Sequence, residues 1–124
     1  MSSSLYKKGT QATEKFQKLL VFENWAVCSL KSFDFTHENN LNRVECHLET
    51  DEIFILTNGS ANLYIYTDSE DLNNPEIINL IKHQPILVSK LTWHAITMTP
   101  ESTVIIIEKD NTCRENSSYV YKKS

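Results

Sequence analysis

Short runs of β-branched and aromatic residues follow one another along most of this chain, and they restrict the fold more than any other feature of the sequence. Examples are EIFILT at 52–57, ANLYIYT at 61–67 and TVIIIEK at 103–109. Clusters of Asn, Asp, Ser, Pro and Gly separate these runs at short spacing. Many short strands joined by turns are typical of an antiparallel sandwich or barrel, so we expect an all-β protein.

The N-terminal part of the chain carries the one pattern that favours a helix. In residues 10–24, Thr13 is followed by Phe16, Leu19 and Leu20, which form an approximate apolar stripe at helical spacing. We therefore expect a short N-terminal helical segment. The chain then divides into an N-terminal segment, residues 1–24, and a β-barrel domain, residues 25–124.

Asn58 and Gly59 lie between two of the strand-like runs. An Asn-Gly pair in this position is a strong signal for a β-hairpin, because both residues tolerate the positive φ of a type I′ turn. We therefore expect residues 52–57 and 61–66 to pair as a hairpin.

Length and charge narrow the class of protein. A chain of 124 residues is long enough for one hydrophobic core, and its net charge of -4 argues against nucleic acid as a partner. No segment approaches the roughly 18 apolar residues that a membrane span needs, and the N-terminus has no apolar leader. The three cysteines, Cys28, Cys46 and Cys113, show no metal-ribbon spacing and are odd in number. We therefore expect a cytoplasmic protein with free thiols and no membrane partner.

Residues 43–48, RVECHL, alternate between charged and apolar side chains. Successive side chains of a strand point to opposite faces, so one face carries Arg43, Glu45 and His47 and the other carries Val44, Cys46 and Leu48. The charged face either meets solvent or lines a polar pocket.

The spacing from His47 onward resembles the first motif of the cupin superfamily, a group of small β-barrels. That motif runs Gly, five residues, His-x-His, three or four residues, Glu, six residues, Gly. His47 matches the second histidine, Glu52 follows after four intervening residues, and Gly59 follows after six more. The motif is degenerate at its start, because Glu45 occupies the first histidine position and Asn39 the leading glycine.

The second cupin motif is retained at His94 alone. Its other positions fall on His83, Ser89, Leu91 and Met98, and KLTWH at 90–94 looks like the family's common x-G-T-W-H with Leu91 in place of glycine. The resemblance covers residues 25–110. It implies a cupin-type antiparallel β-barrel, a double-stranded jelly roll.

A divalent metal inside the barrel is also implied by the resemblance, since the family holds one with three histidines and a glutamate. Carried over to this sequence, His47, Glu52 and His94 are retained ligands and Glu45 substitutes for a histidine. Iron, manganese, nickel or zinc would suit such a donor set. A network without metal, in which Glu45 and Glu52 pair with Arg43, explains the same charged face.

Strand parity predicts which other side chains line the pocket. Phe54, Leu56, Ile96 and Met98 share the parity of the polar cluster. Arg43 is placed to hold a carboxylate or phosphate. Arg43, Phe54 and Met98 are therefore the candidate substrate-binding residues, and no catalytic residue is assigned.

Three functions remain open from the sequence. The first is a metal-dependent enzyme acting on a small organic acid or sugar. The second is a metal-free sugar isomerase or epimerase with His47 or His94 as general base. The third is a non-catalytic protein that binds a small molecule. We also expect a homodimer, because the apolar face of Val44, Cys46 and Leu48 needs cover from a second subunit or from the N-terminal segment.

Overall fold

The computed structural model describes residues 5–32, 36, 43–68, 72–111 and 117–121. Ten strands occur in this part of the chain, and all of their pairings are antiparallel. In chain order they are β1 (Phe16–Phe22), β2 (Trp25–Lys31), β3 (Arg43–His47), β4 (Glu52–Asn58), β5 (Ala61–Tyr66), β6 (Glu76–Asn79), β7 (Ile86–Val88), β8 (Trp93–Met98), β9 (Thr103–Lys109) and β10 (Ser117–Tyr121). The expected all-β class is confirmed.

The strands form two five-stranded sheets. The first sheet has the order β1-β2-β9-β4-β7, and the second has the order β10-β3-β8-β5-β6. No helix in the described residues is long and apolar enough to cross a membrane. Asn39, at the position of the leading glycine in the first motif, and Cys113, expected to be a free thiol, lie outside the described residues.

The hydrophobic core lies between the two sheets. In β9, residues alternate strictly between half-buried and buried positions, and Val104 and Ile106 point inward. Inward side chains of the other strands complete the cluster, which contains Ala26, Cys28, Leu30, Phe54, Leu56, Ala61, Leu63, Leu80, Val88 and Met98. The core therefore follows from period-2 alternation on both sheets.

The expected N-terminal helix is wrong. Residues 16–22 form β1 and pair with β2, with Phe16 opposite Leu30 and Phe22 opposite Trp25. The register shifts between Lys18 and Leu20. A bulge of this kind inserts one extra residue and interrupts strand alternation. The resulting spacing of apolar residues resembles a helical stripe although the backbone is extended.

The expected hairpin at Asn58 and Gly59 is also wrong, because β4 and β5 belong to different sheets. Gly59 has the positive φ that the turn prediction required, 80°, but Asn58 does not share it. The chain crosses here from one sheet to the other. A β-carbon on Gly59 would collide with Ser102, so the close approach admits only glycine.

Ser102 joins two such crossings at one end of the molecule. Its hydroxyl accepts a hydrogen bond from the Ser60 N–H and lies 2.6 Å from Thr99 Oγ1. We call residues 58–60 and 99–102 the crossing corner. They connect β4 to β5 and β8 to β9, so this corner fixes the two sheets relative to each other.

Apolar side chains also lie outside the core. On the outer face of the second sheet, Val44 is fully buried in a cluster with Tyr66 and Ala95, so Val44 is covered within its own chain. On the first sheet, half-buried aliphatic residues that do not belong to the core point outward. This outer aliphatic face consists of Val27, Ile53, Ile55, Ile105 and Ile107, with the more exposed Leu87 at its edge.

Candidate metal centre and cavity

Three strands bring the four predicted ligand residues together. Glu45 on β3 is directly opposite His94 on β8, so both project from the inner face of the second sheet. His47 follows on the same face of β3. Glu52, the first residue of β4, projects from the facing sheet toward them. These residues are far apart in the sequence. They meet because their side chains all point from the two facing sheets into the space between them.

The distances within this cluster are short. Glu52 Oε1 lies 2.7 Å from His47 Nε2 and 3.1 Å from His94 Nε2. Glu45 Oε1 lies 3.9 Å and 3.8 Å from the same two nitrogens. Glu45, His47 and His94 each place one potential ligand atom within 4.8 Å of the others. Such a group could hold a metal ion.

The outer nitrogen of each imidazole is already engaged. His94 Nδ1 lies 2.9 Å from the Thr92 carbonyl, which can only accept, so Nδ1 carries the proton. His47 Nδ1 lies 2.7 Å from the Ser117 hydroxyl. A histidine held in this way through one nitrogen presents the other nitrogen as a ligand.

The inner atoms of the cluster are buried without a hydrogen bond. Among the described residues, His47 Nε2, Glu52 Oε1 and His94 Nε2 are buried side-chain atoms that lack a correctly directed hydrogen-bond partner. The short distances from Glu52 Oε1 to the two Nε2 atoms therefore show that these polar atoms converge on one point. Buried polar atoms normally have partners, so this convergence requires a cation or additional protons.

The pKa values of the cluster residues also indicate that positive charge is favoured at this point. Burial would lower the pKa of each imidazole, but the adjacent Glu52 carboxylate outweighs burial and raises the pKa of His47 and His94. Burial would likewise raise the pKa of Glu52, but the two imidazoles lower it below its ordinary value. The Glu52 carboxylate is therefore ionised at neutral pH and attracts cations.

Glu108 is the site residue that the sequence analysis missed. It lies directly opposite Glu52 in the pairing of β4 with β9, and its side chain is buried. Burial, followed by the charge of Glu52, raises the pKa of Glu108 to about 7. The neighbouring Cys28 thiol is buried as well, and burial with the charge of Glu108 raises its pKa to about 12. In the sequence, Glu108 has the same strand parity as Val104 and Ile106. This parity was the signal that could have predicted an inward side chain for Glu108.

The cluster forms one end of a cavity of about 320 Å³ between the sheets. Arg43, Phe54 and Ile96 line this cavity with the polar cluster, as strand parity predicted. Met98 and Leu56 lie instead in the core, beyond the described lining residues. Their parity is inward, but they lie further along the strands toward the crossing corner. The remaining lining residues are Phe16, Leu30, Ile106, Glu108, Ser117 and Tyr119.

Leu91 has a left-handed backbone conformation, which glycine adopts readily. Its φ is 69°, which is uncommon for a residue with a branched side chain. The Leu91 N–H donates to the His47 carbonyl at 2.8 Å, so the turn is tied to the end of β3. The next residue, Thr92, supplies the carbonyl that holds His94. The turn therefore orients one of the two imidazoles.

Comparison with solved structures identifies similar folds. A nucleoside dehydratase from Streptomyces, Pac13, has a TM-score of 0.69 and 11% identity over 98% of this chain and 95% of its own. A cupin-2 domain-containing protein from Shewanella frigidimarina has a TM-score of 0.58 and 17% identity over 86% of both chains. No family model and no curated protein matches the sequence.

A third similar structure is the hydroxypropylphosphonic acid epoxidase from S. wedmorenis, with a TM-score of 0.50 and 16% identity. The match covers 68% of this chain and 41% of the epoxidase, so this chain spans less than half the length of that protein. A structure of this epoxidase contains Fe(II). At these identities the likeness concerns the fold. The chain thus has a cupin-like β fold, and its resemblance to the cupin superfamily is confirmed at that level.

Proposed function

We propose that this protein binds a divalent metal ion through Glu45, His47, Glu52 and His94 and binds a small polar molecule in the adjoining cavity. The observation that carries the proposal is the convergence of three buried atoms: Glu52 Oε1 lies 2.7 Å from His47 Nε2 and 3.1 Å from His94 Nε2, and none of the three has a further hydrogen-bond partner within the described residues. Two imidazole nitrogens and a carboxylate oxygen are a common ligand set for divalent transition metals.

The donor set suits several metals. Two imidazoles and a carboxylate match non-haem iron sites, and the Glu45 carboxylate adds an oxygen that also favours manganese. Nickel and zinc bind the same atom types, so the residues alone do not select one metal. When bound, such an ion supplies Lewis acidity that can polarise a carbonyl or phosphoryl oxygen of a ligand.

Residues around the two imidazoles would orient the ligand atoms for the ion. The Thr92 carbonyl fixes the proton of His94 on Nδ1, which leaves Nε2 as the ligand atom. The Ser117 hydroxyl can accept a hydrogen bond from His47 Nδ1, and His47 Nε2 is then the ligand atom. Such outer contacts orient the ligating atoms before the metal arrives. The apolar walls, including Phe54 and Ile106, would limit access of water.

Substitution of His94 by Ala tests the proposal. We expect Mn²⁺ affinity, measured by isothermal titration calorimetry, to fall at least about tenfold, because one of the direct ligands is lost. His83→Ala is the matched control, since His83 is exposed. Elemental analysis of the purified wild-type protein gives the identity of the resident ion. Equal Mn²⁺ affinity in wild type and His94→Ala would refute the metal site.

A metal-free acid–base enzyme is the second candidate. It is favoured by the position of Glu52 between two imidazoles, an arrangement in which a histidine could accept or donate a proton. The near-full-length likeness to a nucleoside dehydratase makes a nucleoside a suitable first test substrate for this candidate. Turnover that persists after chelation with EDTA would favour it. A ligand bound without turnover would instead favour a non-catalytic binding protein.

A further inference from the structure

The cavity has a polar end and apolar walls, which restricts the chemistry of its ligand. Glu45, Glu52 and Glu108 lie at the polar end with the two imidazoles. Five apolar side chains form the walls: Phe16, Leu30, Phe54, Ile96 and Ile106. Its volume of about 320 Å³ is small for a ligand site. A molecule that fills it therefore needs a hydrocarbon or aromatic body as well as a polar group.

Arg43 adds a single strong cation to this space. Among the described lining residues it is the one guanidinium or ammonium group. Its guanidinium carbon lies 4.7 Å from the centre of the Tyr119 ring, which positions it over the aromatic face. A guanidinium group carries several N–H donors in one plane, an arrangement that suits a carboxylate or a phosphonate.

Arg43 and the proposed metal ligands are near enough to contact one small molecule. Arg43 and Glu45 are two residues apart on β3, and their side chains share the inner face. Such residues are about 7 Å apart along a strand. An anionic group at Arg43 and a second polar group at the metal centre can therefore belong to the same ligand.

A bound divalent cation would favour an anion in this cavity. The charges of Glu45 and Glu52 oppose the entry of an anion into a low-dielectric space, whereas positive charge beside them opposes this effect. Unlike a proton on an imidazole, a metal ion also offers a direct contact to a polar group of the ligand. Binding free energies are linked reciprocally, so each of the two ligands strengthens the binding of the other.

We propose that the cavity ligand is a small organic anion with an apolar body, a carboxylate or a phosphonate, whose charged group binds Arg43 and whose affinity depends on the bound metal. This inference rests on the proposed metal centre and specifies the ligand class of that same site.

Calorimetric titration of three probes tests the inference. Benzoate and phenylphosphonate are anionic with an apolar ring, whereas benzamide is a neutral molecule shaped like benzoate. We expect at least one anion to bind Mn²⁺-loaded wild type about tenfold or more tightly than benzamide, and about tenfold or more tightly than it binds the EDTA-treated protein. The tighter of the two anions assigns the ligand as a carboxylate or a phosphonate.

Variants of Arg43 show whether this residue supplies the selectivity. Arg43→Met should lose the preference for the anion over benzamide. It should still bind Mn²⁺ at least as tightly as wild type, because it removes a neighbouring cation and no proposed metal ligand, and this binding also shows that the variant is folded. Arg43→Lys should retain part of the preference. Lys109→Met is the matched control, because it removes one positive charge from outside the cavity.

The possible failures are distinguishable. If wild type does not bind Mn²⁺, both the metal centre and this inference fail. If Mn²⁺ binds but neither anion binds more tightly than benzamide, the inference fails and the metal centre stands. Equal anion affinity in wild type and Arg43→Met, or equal anion affinity with and without Mn²⁺, would also overturn the inference.

Discussion

Glu108 is a carboxyl group held among other acids in a nearly dry environment. Its partner across the strands is Glu52, and both side chains are about 5% exposed. Two adjacent buried carboxyls cannot both ionise without a large cost, so the one that lies further from the imidazoles keeps its proton. This is the physical basis of the raised pKa of Glu108.

The raised pKa of Glu108 predicts a pH-dependent effect on stability. Its pKa is about 7 in the folded protein and 4.5 ordinarily, so the group contributes stability below pH 4.5 that is lost as the pH rises through 7. Glu108→Gln cannot ionise and does not suffer this loss. In EDTA-treated protein we expect the variant to exceed wild type in free energy of unfolding by about 3 kcal/mol at pH 8, and by less than about 1 kcal/mol at pH 5.

Urea denaturation at the two pH values measures the effect of Glu108→Gln. Glu14→Gln, at an exposed position, is the control for a general effect of removing one negative charge. A difference between Glu108→Gln and wild type that is the same at pH 5 and pH 8 would contradict the explanation.

The residues of the cluster differ in how far the sequence could reveal them. Glu45 and His47 stand out because they interrupt apolar neighbours at strand period, and the motif spacing linked them to Glu52 and His94. Glu108 follows an uninterrupted apolar run and precedes Lys109, so it resembled the charged end of a strand. Met98 has the parity of an inward-pointing residue, as predicted, but parity does not show how far along the strand a residue lies from the cavity.

At the scale of elements, the turn before β8 carries a conformational cost. Leu91 has a φ of 69° and its side chain is 61% exposed, so little packing compensates for the left-handed backbone. Glycine adopts this conformation without a steric penalty. We expect Leu91→Gly to be more stable than Leu91→Ala by about 1 kcal/mol, because alanine keeps the β-carbon that causes the strain.

Thermal or urea unfolding of the two Leu91 variants provides the measurement. Comparison with Leu91→Ala removes the effect of losing the exposed side chain. If the glycine variant proves less stable than the alanine variant, the left-handed assignment of this turn is incorrect.

Two elements show why local pattern was insufficient. In β1 the bulge after Lys18 breaks the alternation, and Phe16 with Leu19 and Leu20 then mimics a helix. The local spacing of apolar residues cannot distinguish a helix from a bulged strand. The segment forms a strand because it pairs with β2. The Asn58-Gly59 pair correctly indicated a turn at Gly59. Which sheet receives the next strand depends on where Ala61 and Leu63 are buried, and that is not a local property.

At the scale of the whole molecule, the outer aliphatic face is the feature that suggests self-association. It crosses β2, β9, β4 and β7 as one continuous set of apolar side chains, with Val27, Ile107, Ile53 and Leu87 paired in register. Large exposed apolar patches mark interaction surfaces. The homodimer predicted from the sequence remains a prediction, and this face is now its better location, since Val44 is covered within the chain.

Light scattering with size-exclusion chromatography tests the dimer. We expect wild type to elute as a dimer at micromolar concentration and Ile107→Lys to elute as a monomer, because the charge lies at the centre of the outer aliphatic face. The exposed Ile81 lies away from β9, so Ile81→Lys is the control. A wild-type monomer would refute the prediction, and a dimer unaffected by Ile107→Lys would place the contact elsewhere.

The class of fold was accessible from the sequence because period-2 alternation and turn residues are local signals. The order of strands was not accessible, because it depends on contacts between distant segments such as β2 with β9. The motif spacing supplied part of that missing information. It indicated that residues near 47 and 94 meet, and the direct pairing of Glu45 with His94 has that arrangement.

The crossing corner and the polar cluster lie at opposite ends of the same strands. Gly59 and Ser102 adjoin one end of β4 and β9, whereas Glu52 and Glu108 occupy the other. A substitution at the corner is therefore expected to alter folding more than ligand binding, and a substitution in the cluster to alter ligand binding more than folding. The ligand specificity of this fold can thus be changed at one end without altering the turns that join the two sheets at the other.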